Sequence, residues 1–86
     1  MAIEQGEALV RLGAFVGGGV AIGVAAAGAA IGDGVVGSQL VAGIARQPEA
    51  QGRLMGPFLL TVSLAEGTFF IALVFAVLLF FVTPGL

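Results

Sequence analysis

The 86-residue chain contains no cysteine, histidine, tryptophan, tyrosine or lysine, and most of these absences remove a class of function. Without cysteine or histidine there is no thiolate or imidazole metal site and no thiol redox chemistry. Without lysine there is no Gly-x-x-x-x-Gly-Lys phosphate loop, so phosphoryl transfer is not catalysed by this chain. Charge is scarce too: 9% of residues are charged and the net charge is -2. Arg11, Arg46 and Arg53 are scattered rather than clustered, which argues against a nucleic-acid surface. What is present is apolar. Hydrophobic residues make up 59% of the chain, and its mean hydropathy is +1.18. A soluble domain of this size is near the lower limit for a self-sufficient core and needs polar residues to cover it. They are too few here.

Two apolar segments flank a short polar centre. One runs from about Arg11 to Ala45 and the other from about Ala50 to Val82, each longer than the ~20 residues that cross a ~30 Å hydrocarbon core. The pattern predicts an all-α membrane protein, a single hairpin over residues 1–86. Its first helix covers about 8–45, its polar loop about 46–49 and its second helix about 50–82. Pro48 disfavours helical geometry at Gln47 and suits the first turn of the helix that follows. Arg46 and Arg53 lie in or beside the loop, while Arg11 is offset by Glu4 and Glu7. The positive-inside tendency therefore puts the loop in the cytoplasm and both termini outside. Met1 to Glu7 carries two acids and no base, unlike a cleaved signal or a transit peptide, so synthesis in a bacterium or within an organelle is expected.

The two helices differ in texture. The first holds most of the 15 glycines, interleaved with alanine. Small residues recur at four-residue steps, as in Ala26, Ala30, Gly34, Ser38 and Ala42, the spacing that lets membrane helices approach closely. One hairpin supplies a single partner helix, so the other close neighbours are expected to be further copies, closing into a homo-oligomeric ring through a heterologous interface. The second helix is bulky, with Phe58, Phe69, Phe70, Phe75, Phe80 and Phe81 among many leucines. It reads as the outer, partly lipid-facing layer.

Glu66 stands alone in the apolar run from Leu54 to Val82. A charge at the centre of a bilayer-spanning helix costs about 2.5–3.5 kcal/mol on insertion scales, so an intramembrane acid marks an ion or proton path by default. A neutral carboxylic acid is tolerable beside lipid, whereas its anion needs a positive partner or water. Asp33 is the second acid inside a span, among Ala29, Ala30 and Gly37. Counted from the loop, Asp33 lies about 18–21 Å deep and Glu66 about 24–28 Å. The backbones miss by about one turn, but side chains lean toward their helix amino terminus, which narrows the gap from both sides. Two readings of Asp33 stand. It shares a site and at least one proton with Glu66, or it bonds to backbone or water near a helix end.

Three stretches carry a resemblance that covers nearly the whole chain. These are Gly28-Ala29-Ala30-Ile31-Gly32-Asp33-Gly34, the loop Ala45-Arg46-Gln47-Pro48-Glu49-Ala50, and Glu66 in the second helix. With this spacing the sequence resembles the c-type proteolipid of the F-type ATP synthase rotor ring. The resemblance implies a non-catalytic component of the bacterial plasma membrane that carries protons on Glu66 and couples transport to rotation and ATP synthesis. It implies helix packing through Gly28, Ala30, Gly32 and Gly34, with Ala30 standing where glycine is usual, a departure that bears on packing and on the number of copies in the ring. It also implies that Arg46, Gln47 and Pro48 face the central stalk subunits γ and ε, a plain membrane-interface anchor being the lesser alternative for Arg46. Partners are then other copies of the chain, the stalk, membrane lipid and a stator protein supplying an arginine, with no cofactor.

Sodium-binding members of this family resemble one another in having glutamine at the position of Asp33 and a hydroxyl just after the acid. Here Asp33 and Gly67 stand there, with Ser63 and Thr68 nearby. Glu66, Asp33, Ser63 and backbone oxygens could supply oxygen ligands to a cation, but the second carboxyl favours protons. Other classes fit less well. A holin-like pore would need a continuous polar stripe, and a scaffold hairpin would need no acid in its second helix. Archaeal and vacuolar proteolipids commonly fuse two or more hairpins.

Overall fold

In the computed structural model, which describes residues 2–82 and side chains from Glu4 onward, the chain is a hairpin of two long helices. Helix α1 spans Ala2–Arg46, a 3-10 turn covers Pro48–Ala50, and helix α2 spans Gln51–Phe81. Met1 and residues 83–86, which the hairpin read over 1–86 includes, lie outside the described residues. The molecule measures 69 × 15 × 8 Å. Its long dimension matches α1, whose 45 residues rise about 1.5 Å each.

The elements follow from local chemistry. Glu4 sits in the first turn of α1 and Arg46 in its last, each facing the helix-dipole end of opposite sign. Nothing between them breaks a helix in lipid, so α1 begins well before the expected position near residue 8. The chain turns at Gln47, which adopts φ -137 and ψ 82, the non-helical backbone that a following proline favours. Pro48 then opens the 3-10 turn, where its missing N–H costs nothing. The Gln47 N–H donates to the Gly43 carbonyl (2.9 Å), and the Ala50 N–H donates to the Gln47 carbonyl (2.9 Å). These bonds close the loop without a side-chain cap. Helix α2 also carries Pro57 in its interior. That residue cannot donate to the Arg53 carbonyl, while the Thr61 hydroxyl donates to the Pro57 carbonyl at 2.8 Å.

The hairpin has almost no core of its own. The only buried hydrophobic residues among those described are Ala14, Ala50 and Ala76. Leu60, Leu64, Ile71, Phe75 and many other large side chains are exposed. Only 11% and 6% of the most apolar stretches of the two helices are buried. A helix from the interior of a soluble protein would be mostly covered, so these are the helices of a membrane protein, solvated by lipid and by other protein.

Contacts across the seam fix its register. Phe15 meets Phe80 with ring centroids 6.1 Å apart, and Gly18 lies under the same Phe80 ring. Toward the loop, Val36 and Leu40 face Pro57 and Thr61, and Gly43 lies under Leu54. Each step along α1 is matched by a step back along α2, so the antiparallel register holds from the loop to the far end.

Candidate functional site

That register sets Asp33 of α1 opposite Glu66 of α2. Both side chains are half-buried and line one hollow of about 260 Å³ with Ala26, Ala29, Ala30 and Phe69. Each helix contributes what its texture allows. The alanines of α1 leave room beside Asp33, and Phe69 of α2, one turn beyond Glu66, forms an apolar wall. The depth offset expected from counting residues does not separate the two acids.

The Asp33 and Glu66 carboxyls are neighbours in this hollow. A hydrogen bond between them would need a proton on one, because an ionised carboxylate only accepts. Asp33 Oδ1 is buried and meets no N–H or O–H donor of the protein. Asp33 also stands well inside α1, not near a helix end. A buried acceptor without a fixed donor is costly, and within the lining of this hollow only a protonated Glu66 could donate to it. Two like charges facing each other here cannot both ionise cheaply, so the arrangement chemically favours holding a single proton between two carboxyls.

The hydroxyls are placed differently. The Thr68 hydroxyl donates to the Leu64 carbonyl at 3.1 Å, and neither Thr68 nor Ser63 lines the hollow of the acids. Among the described residues no cluster of three or more metal-ligating side chains occurs.

The small residues expected to pack helices also separate into groups. A side chain added at Gly28, Gly32 or Gly34 would meet nothing within 4 Å, so these glycines face away from α2 and remain free for contact outside the hairpin. Ala30 is exposed and borders the hollow of the acids. The glycines that the single chain uses are Gly18, where an added Cβ would lie 2.5 Å from the Phe80 ring, and Gly43, where it would lie 3.1 Å from Leu54 Cδ1. Composition alone did not single these two out. The available signal was their position opposite bulky residues once the helices are laid antiparallel.

Arg46, Gln47 and Pro48 are exposed at the tip of the hairpin. Arg46 and Gln47 line a second hollow of about 410 Å³ with Gly43, Ala50, Arg53 and Leu54.

Comparison with known protein families gives one match over most of the chain: residues 16–79 fit the model of the ATP synthase C-subunit family. The matched segment includes both acids and the loop.

Proposed function

The chain belongs to the ATP synthase C-subunit family, and on that premise we propose that Glu66 is the carboxylate on which it carries protons across the membrane, with Asp33 as partner in the same site. Family membership makes it a rotor component of the membrane sector of ATP synthase, with a part in transport rather than catalysis. The observation that supports the proton reading is the shared hollow, in which a buried Asp33 oxygen lacks a fixed donor beside Glu66.

The cycle follows from charge and solvation. With one proton between them, the acids present a less charged surface, and Glu66 as a neutral acid tolerates contact with lipid. Loss of that proton to water leaves an anion that lipid does not solvate, so release must occur where a cation faces Glu66. Arg46 and Arg53 lie at the loop and Arg11 near the other end, all far from this depth. The cation therefore comes from another protein, an arginine of the stator. Each proton transferred down a 100 mV potential yields about 2.3 kcal/mol. Many copies in a homo-oligomeric ring add such steps into rotation, which Arg46, Gln47 and Pro48 at the exposed tip pass to the central stalk subunits γ and ε. The loop then faces the cytoplasm of a bacterial cell and both termini face outside.

Protons are favoured over sodium by what surrounds the acids. Hard cations are held by several oxygen ligands, from protein or water. Beyond the two carboxyls the hollow is lined by alanine and phenylalanine carbons, and the Thr68 hydroxyl is already committed to Leu64.

The decisive experiment is labelling of the detergent-solubilised oligomer with a hydrophobic carbodiimide, which reacts with protonated carboxyls, followed by peptide mapping with and without sodium. Labelling of Glu66 at neutral pH that sodium does not suppress is the expected result. Protection by sodium would transfer the role to Na⁺, and failure to label Glu66 under any condition would remove the carrier.

A further inference from the structure

Four hydroxyls stand on the described helices, those of Ser38, Thr61, Ser63 and Thr68. Three are committed to their own backbone: Ser38 donates to the Val35 carbonyl at 2.8 Å, Thr61 to the Pro57 carbonyl at 2.8 Å and Thr68 to the Leu64 carbonyl at 3.1 Å. Ser63 makes no such bond among the described residues. It is exposed on α2 and lies outside the hollow of the acids. Serine within a helix usually bonds back to its own backbone, and a hydroxyl left unused in an apolar medium is costly. The position of Ser63 in the sequence indicates which group it can serve.

Ser63 precedes Glu66 by one helical turn, the spacing at which side chains on a helix meet. Side chains lean toward the amino terminus of their helix, so Glu66 reaches back over the turn that holds Val62 and Ser63. These two flank it. At about 100° per residue, Val62 is offset from Glu66 by roughly 40° one way and Ser63 by roughly 60° the other. Burial tells the sides apart: Val62 is half-buried and Ser63 exposed. The Val62 side therefore faces the seam, where Asp33 lies, and the Ser63 side faces away from α1. Glu66 has an apolar neighbour in one direction and a free hydroxyl in the other.

The two directions suit two states of the acid. With a proton between them, Glu66 and Asp33 satisfy one another in their hollow. Once that proton passes to water they face each other as like charges, and turning Glu66 away from Asp33 relieves the repulsion. The carboxylate then accepts only and needs a donor. Thr68, the other hydroxyl within a turn of Glu66, is already bonded to Leu64. We propose that Ser63 is a positioning residue for proton release, its hydroxyl donating to the Glu66 carboxylate after Glu66 has turned away from Asp33. The hydroxyl keeps its own proton throughout, and the only proton lost is the shared one. This rests on Glu66 as the carrier and adds a second orientation for it. It also gives Ser63 a part on the side of Glu66 away from the shared hollow, where a cation from another protein can approach.

The test reads the Glu66 carboxylate in alkaline-minus-acid infrared difference spectra of the detergent-solubilised oligomer, its band being the one that Glu66→Gln removes. Ser63→Ala is expected to shift that band, because the carboxylate loses a charge-assisted hydrogen bond. Ser63→Asn, which presents an amide N–H in place of the hydroxyl, should return it most of the way. Thr61→Val, which removes a hydroxyl already bonded to its helix, should leave it unchanged. In the complete synthase, Ser63→Ala should slow ATP-driven proton uptake roughly tenfold, the scale of one hydrogen bond to a charged group, and Ser63→Asn should recover most of the rate. A Glu66 band at the same position in wild type and Ser63→Ala would overturn the role of Ser63 and leave Glu66 as carrier. Equal shifts in Ser63→Ala and Ser63→Asn would overturn it too, since the side chain would then act by its size and not as a donor. If no carboxylate band depends on Glu66, the carrier reading falls and the role of Ser63 with it.

Discussion

Helix α1 carries its acid among alanines and glycines, and helix α2 carries its acid among phenylalanines and leucines, yet both acids open into one hollow. The small residues of α1 determine how near another helix comes. The bulky residues of α2 determine what surrounds the acid once it is there. A carboxyl pair in lipid draws on both, because close approach puts two groups within reach of one proton and an apolar wall makes their surroundings less polar. Outside the seam the same division holds: α1 leaves Gly28, Gly32 and Gly34 uncovered, while α2 exposes Leu60, Leu64 and Phe75. The thin helix leaves room for a close neighbour, and the thick one presents a bulky apolar surface.

The sharpest way to break this comparison is to remove the acid of one helix at a time. Glu66→Gln is expected to abolish ATP-driven proton uptake in reconstituted vesicles while the oligomer still assembles on native gels. Next in size, Gly28→Leu should prevent assembly of the oligomer, because a bulky side chain on the uncovered face of α1 blocks the approach of another helix. Leu60→Ala on the exposed face of α2 should leave assembly intact. Asp33→Asn should slow proton uptake without abolishing it, because Glu66 loses the carboxyl with which it shares a proton. That asymmetry between the two acids would identify Glu66 as the carrier and Asp33 as its partner.

The smallest expected effect lies within the hairpin. Gly18→Ala pushes against the Phe80 ring and should destabilise the folded chain by about 1–3 kcal/mol, the usual cost of overpacking. Thermal unfolding in detergent reads this, and Phe80→Leu in the same chain should restore most of the loss. Gly34→Ala, where nothing lies within 4 Å, should not destabilise the hairpin itself.

Glu66 was legible in the sequence as a candidate because a lone acid in an apolar run has no ordinary structural reason to be there, and the structure adds that it shares a hollow with Asp33. The loop was legible because Arg46, Gln47, Pro48 and Glu49 interrupt that apolarity and Pro48 restricts the residue before it. The start of α1 was not. Hydropathy marks where a chain enters lipid, not where a helix begins, and Glu4 and Glu7 continue the helix beyond the apolar region. Register was not legible either. Rise per residue gave depths but could not say how the turn at Gln47 and the 3-10 turn after it would align the helices. Gly18 and Gly43 were hidden for the same reason, since a glycine shows what it makes room for only when the residue opposite is known.

Those two glycines lie about 38 Å apart along α1, somewhat more than the ~30 Å hydrocarbon layer. The clasps that Phe80 and Leu54 make with them therefore fall near the two faces of the membrane, with Asp33 and Glu66 between. The hairpin is strung like a bow, fastened at its tips. The two acids thus sit midway between two close-packed ends of the hairpin.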